Sequence, residues 1–210
     1  MSARRLVIDC ATPALSLALF AGEICVAAHH SEPGRGHAEA LLPAIAEMPD
    51  GGRAEDILVD IGPGSFTGVR VGLAAAMALG FAWRARVSGY GCLDLVAAMV
   101  RERFRPEADF PVVMVGGHGE LFWAIYAAEA TTAPAAVRST PIAELAGMIG
   151  HPVIYGSGAP ILVAARGHGE ALSLLPDASR TALLPASLRS LPPRPNYGRG
   201  ADAKPMAEVR

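Results

Sequence analysis

Gly62-Pro63-Gly64-Ser65-Phe66-Thr67-Gly68-Val69-Arg70 is the stretch on which the reading of this chain turns. Ile57-Leu58-Val59-Asp60-Ile61, just before it, is a short β-branched apolar run and predicts a buried strand. Val71 to Trp83, just after it, carries no charge, is rich in Ala and Leu, and predicts a helix. A glycine-rich turn from strand to helix leaves backbone N–H groups without helical partners. It aims them, with the positive end of the helix dipole, at one point. Such a turn can hold a phosphate or a carboxylate. It can equally be a tight turn whose Gly and Ser/Thr residues allow close packing and cap the helix. No Gly-Lys-[Ser/Thr] follows, so this is not a Walker A loop, and the spacing is not a dinucleotide fingerprint.

Upstream, Arg4 to Asp9, Leu15 to Phe20 and Glu23 to His30 read as three strands of an antiparallel meander, with Asp9 at the end of the first. His37 to Met48 reads as a helix containing Pro43. Downstream, a strand at Arg86 to Tyr90 and a helix at Leu93 to Phe104 complete the order βββαβαβα. Residues 105–107 are the best linker, which divides the chain into lobes at 1–104 and 105–210. In the second lobe, strands are expected at Pro111 to Val115, Leu121 to Ala128 and Pro152 to Tyr155, with a helix at Ile142 to Gly150. From Ala159 on the chain reads as helical in pieces. The proline-rich end, Pro192 to Pro205, should lie extended on the surface. No internal repeat is visible in the residues.

Composition narrows the function. Hydrophobic residues make up 51% of the 210, and mean hydropathy is +0.32, enough for a core. A net charge of −2 offers no basic patch for tight nucleic-acid binding, and 6% aromatic residues are too few to suggest a base-stacking platform. Cys10, Cys25 and Cys92 are widely spaced, which suits small apolar residues in a reducing cytosol. No secretory h-region follows Arg4-Arg5, and the uncharged run at Val71 to Trp83 is shorter than the ~18 residues of a membrane span. A cytoplasmic location without membrane contact is expected.

The chemistry on view is sparse. Asp9 ends a strand and can hold a metal or a water near a phosphate, or simply cap the turn before Thr12. With Gly64, Ser65, Thr67, Gly68 and Arg70 it forms the candidate anion or nucleotide loop. His37-Ala38-Glu39 lies on a helix, but a metal pair needs a second His at i+4, and position 41 is Leu. No metal site and no catalytic residue set is expected. Ser65 is not in a G-x-S-x-G elbow, and the cysteines lack an activating neighbour. On the uncharged helix, Val71, Ala74, Ala75, Ala78 and Ala82 form a small-residue stripe suited to packing on the sheet. Leu73, Met77 and Gly80 fall in the sector of Arg70 and Arg84 and are expected to face outward. With Leu41 and Ile45 of the preceding helix they form the candidate partner-binding surface.

These motifs resemble those of the TsaB (YeaZ) family. The matching pieces are Leu6-Val7-Ile8-Asp9 with Thr12, His37-Ala38-Glu39 with Leu41-Leu42-Pro43, and the nine residues from Gly62 to Arg70 with Gly72. Gly119-Glu120 before Phe122-Trp123, Pro195-Asn196-Tyr197 and Ala201-Asp202-Ala203-Lys204-Pro205 add to the match. The resemblance implies an α/β actin/Hsp70-like (ASKHA, ribonuclease H-like) fold of two lobes on mixed sheets flanked by helices. It implies a non-catalytic subunit for threonylcarbamoyl-adenosine formation in tRNAs decoding ANN codons. Its partners would be the catalytic paralogue TsaD and the ATPase TsaE, with tRNA met only through the complex and a homodimer formed when alone. No tightly bound cofactor is implied, and ATP or ADP only at the interface with the partner. The glycoprotease (peptidase M22) label of such families comes from TsaD, whose helix carries a His pair; Leu41 here replaces the second His. Two departures stand out. Asp9-Cys10-Ala11-Thr12 replaces the family's Asp-Thr-Ser-Thr, and Val115-Gly116-Gly117 replaces Asp-Ala-Arg. The alternative reading is a small ASKHA phosphotransferase or hydrolase acting through Asp9 and the Gly64 to Gly68 loop.

Overall fold

The computed structural model describes residues 3–34 and 36–198. β1 (Arg4–Asp9), β2 (Leu15–Ala21) and β3 (Ile24–Ser31) form the antiparallel meander. α1 (His37–Ala46), β4 (Asp56–Asp60), α2 (Phe66–Trp83), β5 (Arg86–Tyr90) and α3 (Cys92–Phe104) follow. β4 pairs parallel with β1, and β5 parallel with β4, giving the order β3-β2-β1-β4-β5. The second lobe contains β6 (Phe110–Gly117), β7 (Glu120–Tyr126), β8 (Arg138–Pro141), α4 (Ile142–Met148), β9 (Val153–Tyr155), α5 (Ala159–Arg166) and β10 (Glu170–Leu172). Its sheet runs β8-β7-β6-β9-β10, again a meander of three followed by two parallel strands. The two sheets are therefore topological repeats. Their likeness lies in strand pairing, which many sequences satisfy, so no residue repeat announces it. This is an α/β architecture of two mixed sheets flanked by helices.

Alternation along the strands sorts the first core. Leu6, Ile8, Leu15, Leu17, Leu19, Ile57 and Val59 face α1 and α2, whereas Val7, Ala18, Phe20, Leu58 and Tyr90 face the other way. α3 is buried on two sides. Leu93, Val96, Ala97 and Val100 pack on the second sheet, while Leu95 packs with Val7 and Leu58 of the first. The opposite face of the second sheet is covered by Leu145 and Ile149 from α4 and its end, and by Leu162 of α5.

The chain does not stay in the second lobe. After β10, residues 177–198 return to the first. Ala178 donates its N–H to Ser16 Oγ at 2.9 Å, Arg180 pairs with Glu102 of α3, and Arg189 pairs with Glu23 at the β2–β3 turn. Leu191 bridges to Gly89, and Asn196 N–H donates to the Ile61 carbonyl. The proline-rich end thus begins as a strap across the first lobe; its part from 199 on, including Ala201 to Pro205, lies outside the described residues.

α2 differs from its expected form in two ways. It begins at Phe66, so the second half of the glycine stretch is its first turn, with Ser65 as N-cap accepting from Gly68 N–H. At 18 residues it is the one helix among those described that is long and apolar enough to span a bilayer; here one side of it packs on the sheet. The faces are also reassigned. Val69, Gly72, Leu73, Ala76 and Gly80 are buried, whereas Ala74, Ala78 and Ala82 are exposed and Val71 and Ala75 only half-buried. The inner side is marked by Gly72, Ala76 and Gly80, and of these Gly80 sets the close approach. A Cβ on Gly80 would lie 2.5 Å from Val87 Cγ2, and one on Gly72 3.6 Å from Cys10 and Val59. Arg84 was a false marker of the outward side, because it is the left-handed C-cap (φ 56°) and no longer on the helix wheel.

Candidate functional site

A cleft of about 790 Å³ opens between the lobes. One wall is the turn after β1 (Ala11, Thr12, Pro13), the α1 residues His37 and Ala38, and the glycine loop from Pro63 to Gly68. The other is the end of β6 and the following turn, Met114 to His118, with Ser157. Sequence reasoning finds the first wall, since its motifs are dense. It misses Met114 and Ser157, whose roles depend on the β6–β9 pairing and carry no local signal.

The glycine loop is held by its own close packing. A Cβ on Gly64 would overlap the Ala11 carbonyl oxygen, and one on Gly68 the Cys10 carbonyl oxygen. Gly62 stands at φ 94°, a left-handed conformation that favours glycine. Four of its N–H groups are taken within the chain. Gly62 donates to Asp60 Oδ1 (2.8 Å), Ser65 to the Ala11 carbonyl (2.7 Å), Gly68 to Ser65 Oγ (3.2 Å) and Val69 to the Ser65 carbonyl (2.9 Å). Arg70 leaves the cleft altogether. Its guanidinium lies 3.5 Å from the Phe66 ring centroid and donates through Nε to Tyr197 Oη at 3.1 Å. Thr67 is exposed at the cleft rim.

Asp9 is fully buried and lies behind the cleft wall, not in it. β1 and β4 run in parallel with Ile8 beside Val59, so Asp9 and Asp60 end neighbouring strands on the same face. Tyr90 Oη donates to Asp9 Oδ2 at 2.6 Å, and the Asp60 carboxyl is its acidic neighbour. Burial, above all, pushes Asp9 up to about 7, against the lowering effect of Tyr90. Burial and then the Asp9 charge push Asp60 well above the usual carboxylate range. Asp60 and Tyr90 were not singled out from sequence. An acid ending a buried β4 run, in the position Asp9 holds on β1, was the available signal.

His37 is half-buried with Nε2 3.3 Å from the Ala14 carbonyl. Leu41, one turn on, is 1% exposed and sits in the core with Ile45. The α1 face that would complete a metal pair is therefore turned into the hydrophobic core. Leu41, Ile45, Leu73 and Gly80 are all buried within the chain and cannot meet a partner; of the five surface candidates only Met77, 52% exposed, is on the outside. A different stripe takes their place. Phe66, Arg70, Ala74, Met77, Ala78 and Phe81 line the outward side of α2, and Phe81 is 90% exposed. Leu42 of α1 is exposed as well.

Residues 27–170 match the family model described as TsaD, tRNA N6-adenosine threonylcarbamoyltransferase. The chain belongs to that family. An uncharacterised protein of Mycobacterium tuberculosis is 30% identical to this member of the TsaD family over 217 residues, spanning 96% of this chain and 94% of that one. An uncharacterised protein of Mycobacterium leprae is 31% identical over 166 residues, spanning 72% of this chain and 45% of that one. Among solved structures, YeaZ from Pseudomonas aeruginosa superposes with a TM-score of 0.73 at 24% identity, over 94% of this chain and all of YeaZ. The family match places the chain in tRNA threonylcarbamoyl-adenosine biosynthesis, and the superposition fixes its fold.

Proposed function

We propose that this member of the TsaD family is a TsaB-type subunit, a non-catalytic partner that supports TsaD in forming threonylcarbamoyl-adenosine in tRNAs decoding ANN codons. The observation that carries the reading is the chemistry of the cleft. Among the described residues lining it there is no Asp, Glu, Lys or Arg, and His37 and His118 are its titratable side chains. Phosphoryl transfer needs groups that hold a cation or neutralise developing charge. Asp9, the acid of the alternative phosphotransferase reading, lies behind the wall and shares its carboxyl with Asp60 and Tyr90. The second His of a metal pair is Leu41, packed in the core.

The partner role rests on the outward stripe of α2. An outward side of α2 that carries Phe66 near its start and Met77 and Phe81 one turn apart suits burial against another helical surface. TsaD is the partner we assign to it, with a second copy of this chain taking its place when TsaD is absent. ATP or ADP would then be met at that interface, and TsaE and tRNA through the complex, in the cytoplasm. The test is direct. The pure chain mixed with ATP and Mg²⁺ should give no turnover above background, and mixed with TsaD from the same organism it should elute as a complex. Turnover abolished by Asp9→Asn, or separate elution of the two proteins, would reject the proposal.

A further inference from the structure

Asp9 and Asp60 are 0% and 1% exposed, at adjacent strand ends, and among the described residues no cationic side chain acts on them. The titratable groups that face them are Tyr90 from β5, Cys92 from α3, Cys10 from the β1 turn and Asp177 from the returning segment. None supplies a positive charge. Each carboxyl has one oxygen occupied, Asp9 Oδ2 by Tyr90 Oη and Asp60 Oδ1 by Gly62 N–H. Asp9 Oδ1 and Asp60 Oδ2 are buried and, taken as carboxylate oxygens, lack a donor. Two buried anions in contact are unsustainable, and a proton between them removes both problems at once.

We propose that Asp9 and Asp60 share one proton in the native protein, and that this proton latches the glycine loop to the β1 turn beneath the cleft. The pair grips both parts of that wall. Asp9 ends the strand that runs straight into the β1 turn, and Asp60 accepts from Gly62 N–H at the start of the loop. Ser65 N–H then reaches the Ala11 carbonyl, closing the ring. Without the proton the carboxylates repel, and the strand ends that carry the turn and the loop are driven apart. The cleft wall is thereby coupled to protonation of a group that does not line it.

The sign of the pH dependence follows. Both carboxyls are raised when folded, so above the ordinary carboxylate range the folded chain binds more protons than the unfolded one, and stability falls as pH rises. From the ordinary carboxylate range up to about pH 7 both acids contribute to the fall; above about pH 7 Asp9 is ionised and Asp60 holds the shared proton, while the buried thiols of Cys10 and Cys92, raised as well, add a fall of their own in the thiol range. Asp60→Asn places an amide N–H, which does not titrate, where that proton sits. Thermal unfolding of the wild type should shift downward as pH rises through and above about 7, and the Asp60→Asn variant should show a shallower slope. Amide exchange in the loop at Gly62 and Ser65 should accelerate over the same range beyond its intrinsic base catalysis in the wild type only. Carbon-13 NMR of aspartate-labelled wild type, which needs no variant to fold, should show a carboxyl carbon still protonated well above the ordinary carboxylate range, at about pH 7. Every aspartate carboxyl titrating in the ordinary range, or equal alkaline slopes in the two proteins, would overturn the latch.

Discussion

Gly64 and Gly68 set how closely α2 approaches β1, because each faces a backbone carbonyl oxygen where a Cβ would stand. Backbone cannot swing aside as a side chain can. Gly64→Val or Gly68→Val should therefore cost about 1–3 kcal/mol or more through overpacking. In a chain of this size that lowers Tm by about 2–4 °C for each kcal/mol. Calorimetry of the variants checks it; an unchanged Tm would mean the loop is not packed as described. The need for glycine here was legible in the residues, as was Asp9 at a strand end. What the loop does with its N–H groups was not. A glycine loop that offers donors to an anion and one that turns them onto Ala11 and Ser65 have the same sequence, and only the neighbouring turn decides between them. The fate of Asp9 was hidden for the same kind of reason: its partners Asp60 and Tyr90 are 51 and 81 positions away and meet it through strand pairing.

At the scale of the element, α2 is the part whose two sides do different work. Ala76 is fully buried against the first core, so Ala76→Arg should unfold the chain; a buried unpaired charge costs several kcal/mol, against a total stability of about 5–15 kcal/mol. Phe81→Asp and Met77→Asp change exposed positions and should leave circular dichroism and Tm close to wild type. They should instead weaken binding to TsaD by about 2 kcal/mol or more, roughly thirtyfold in Kd by titration calorimetry. Wild-type affinity in the folded Phe81→Asp variant would remove α2 from the interface. The helix was easily read from composition. Its orientation was not, because every position is apolar or small and the flanking arginines mislead: Arg70 bends back over Phe66 and Arg84 caps the helix end. The glycines at 72 and 80 mark the inner side better than the alanines do.

For the molecule as a whole, two sheets of like topology share α3, and the chain crosses to the second lobe once and comes back. The order of elements in the first lobe was nearly complete in the sequence, since its strands are apolar and its turns sharp. β8 and β10, four and three residues long, were not, because such short pairings owe their existence to the strands beside them. The return of residues 177–198 was equally hidden; it depends on Ser16, Glu102 and Glu23, all far away in sequence. The measurement that tests the account most directly is nucleoside mass spectrometry of tRNA from cells depleted of this protein. Threonylcarbamoyl-adenosine should disappear, return with the wild-type chain, and fail to return with Phe81→Asp; modification that persists undiminished after depletion would contradict the account.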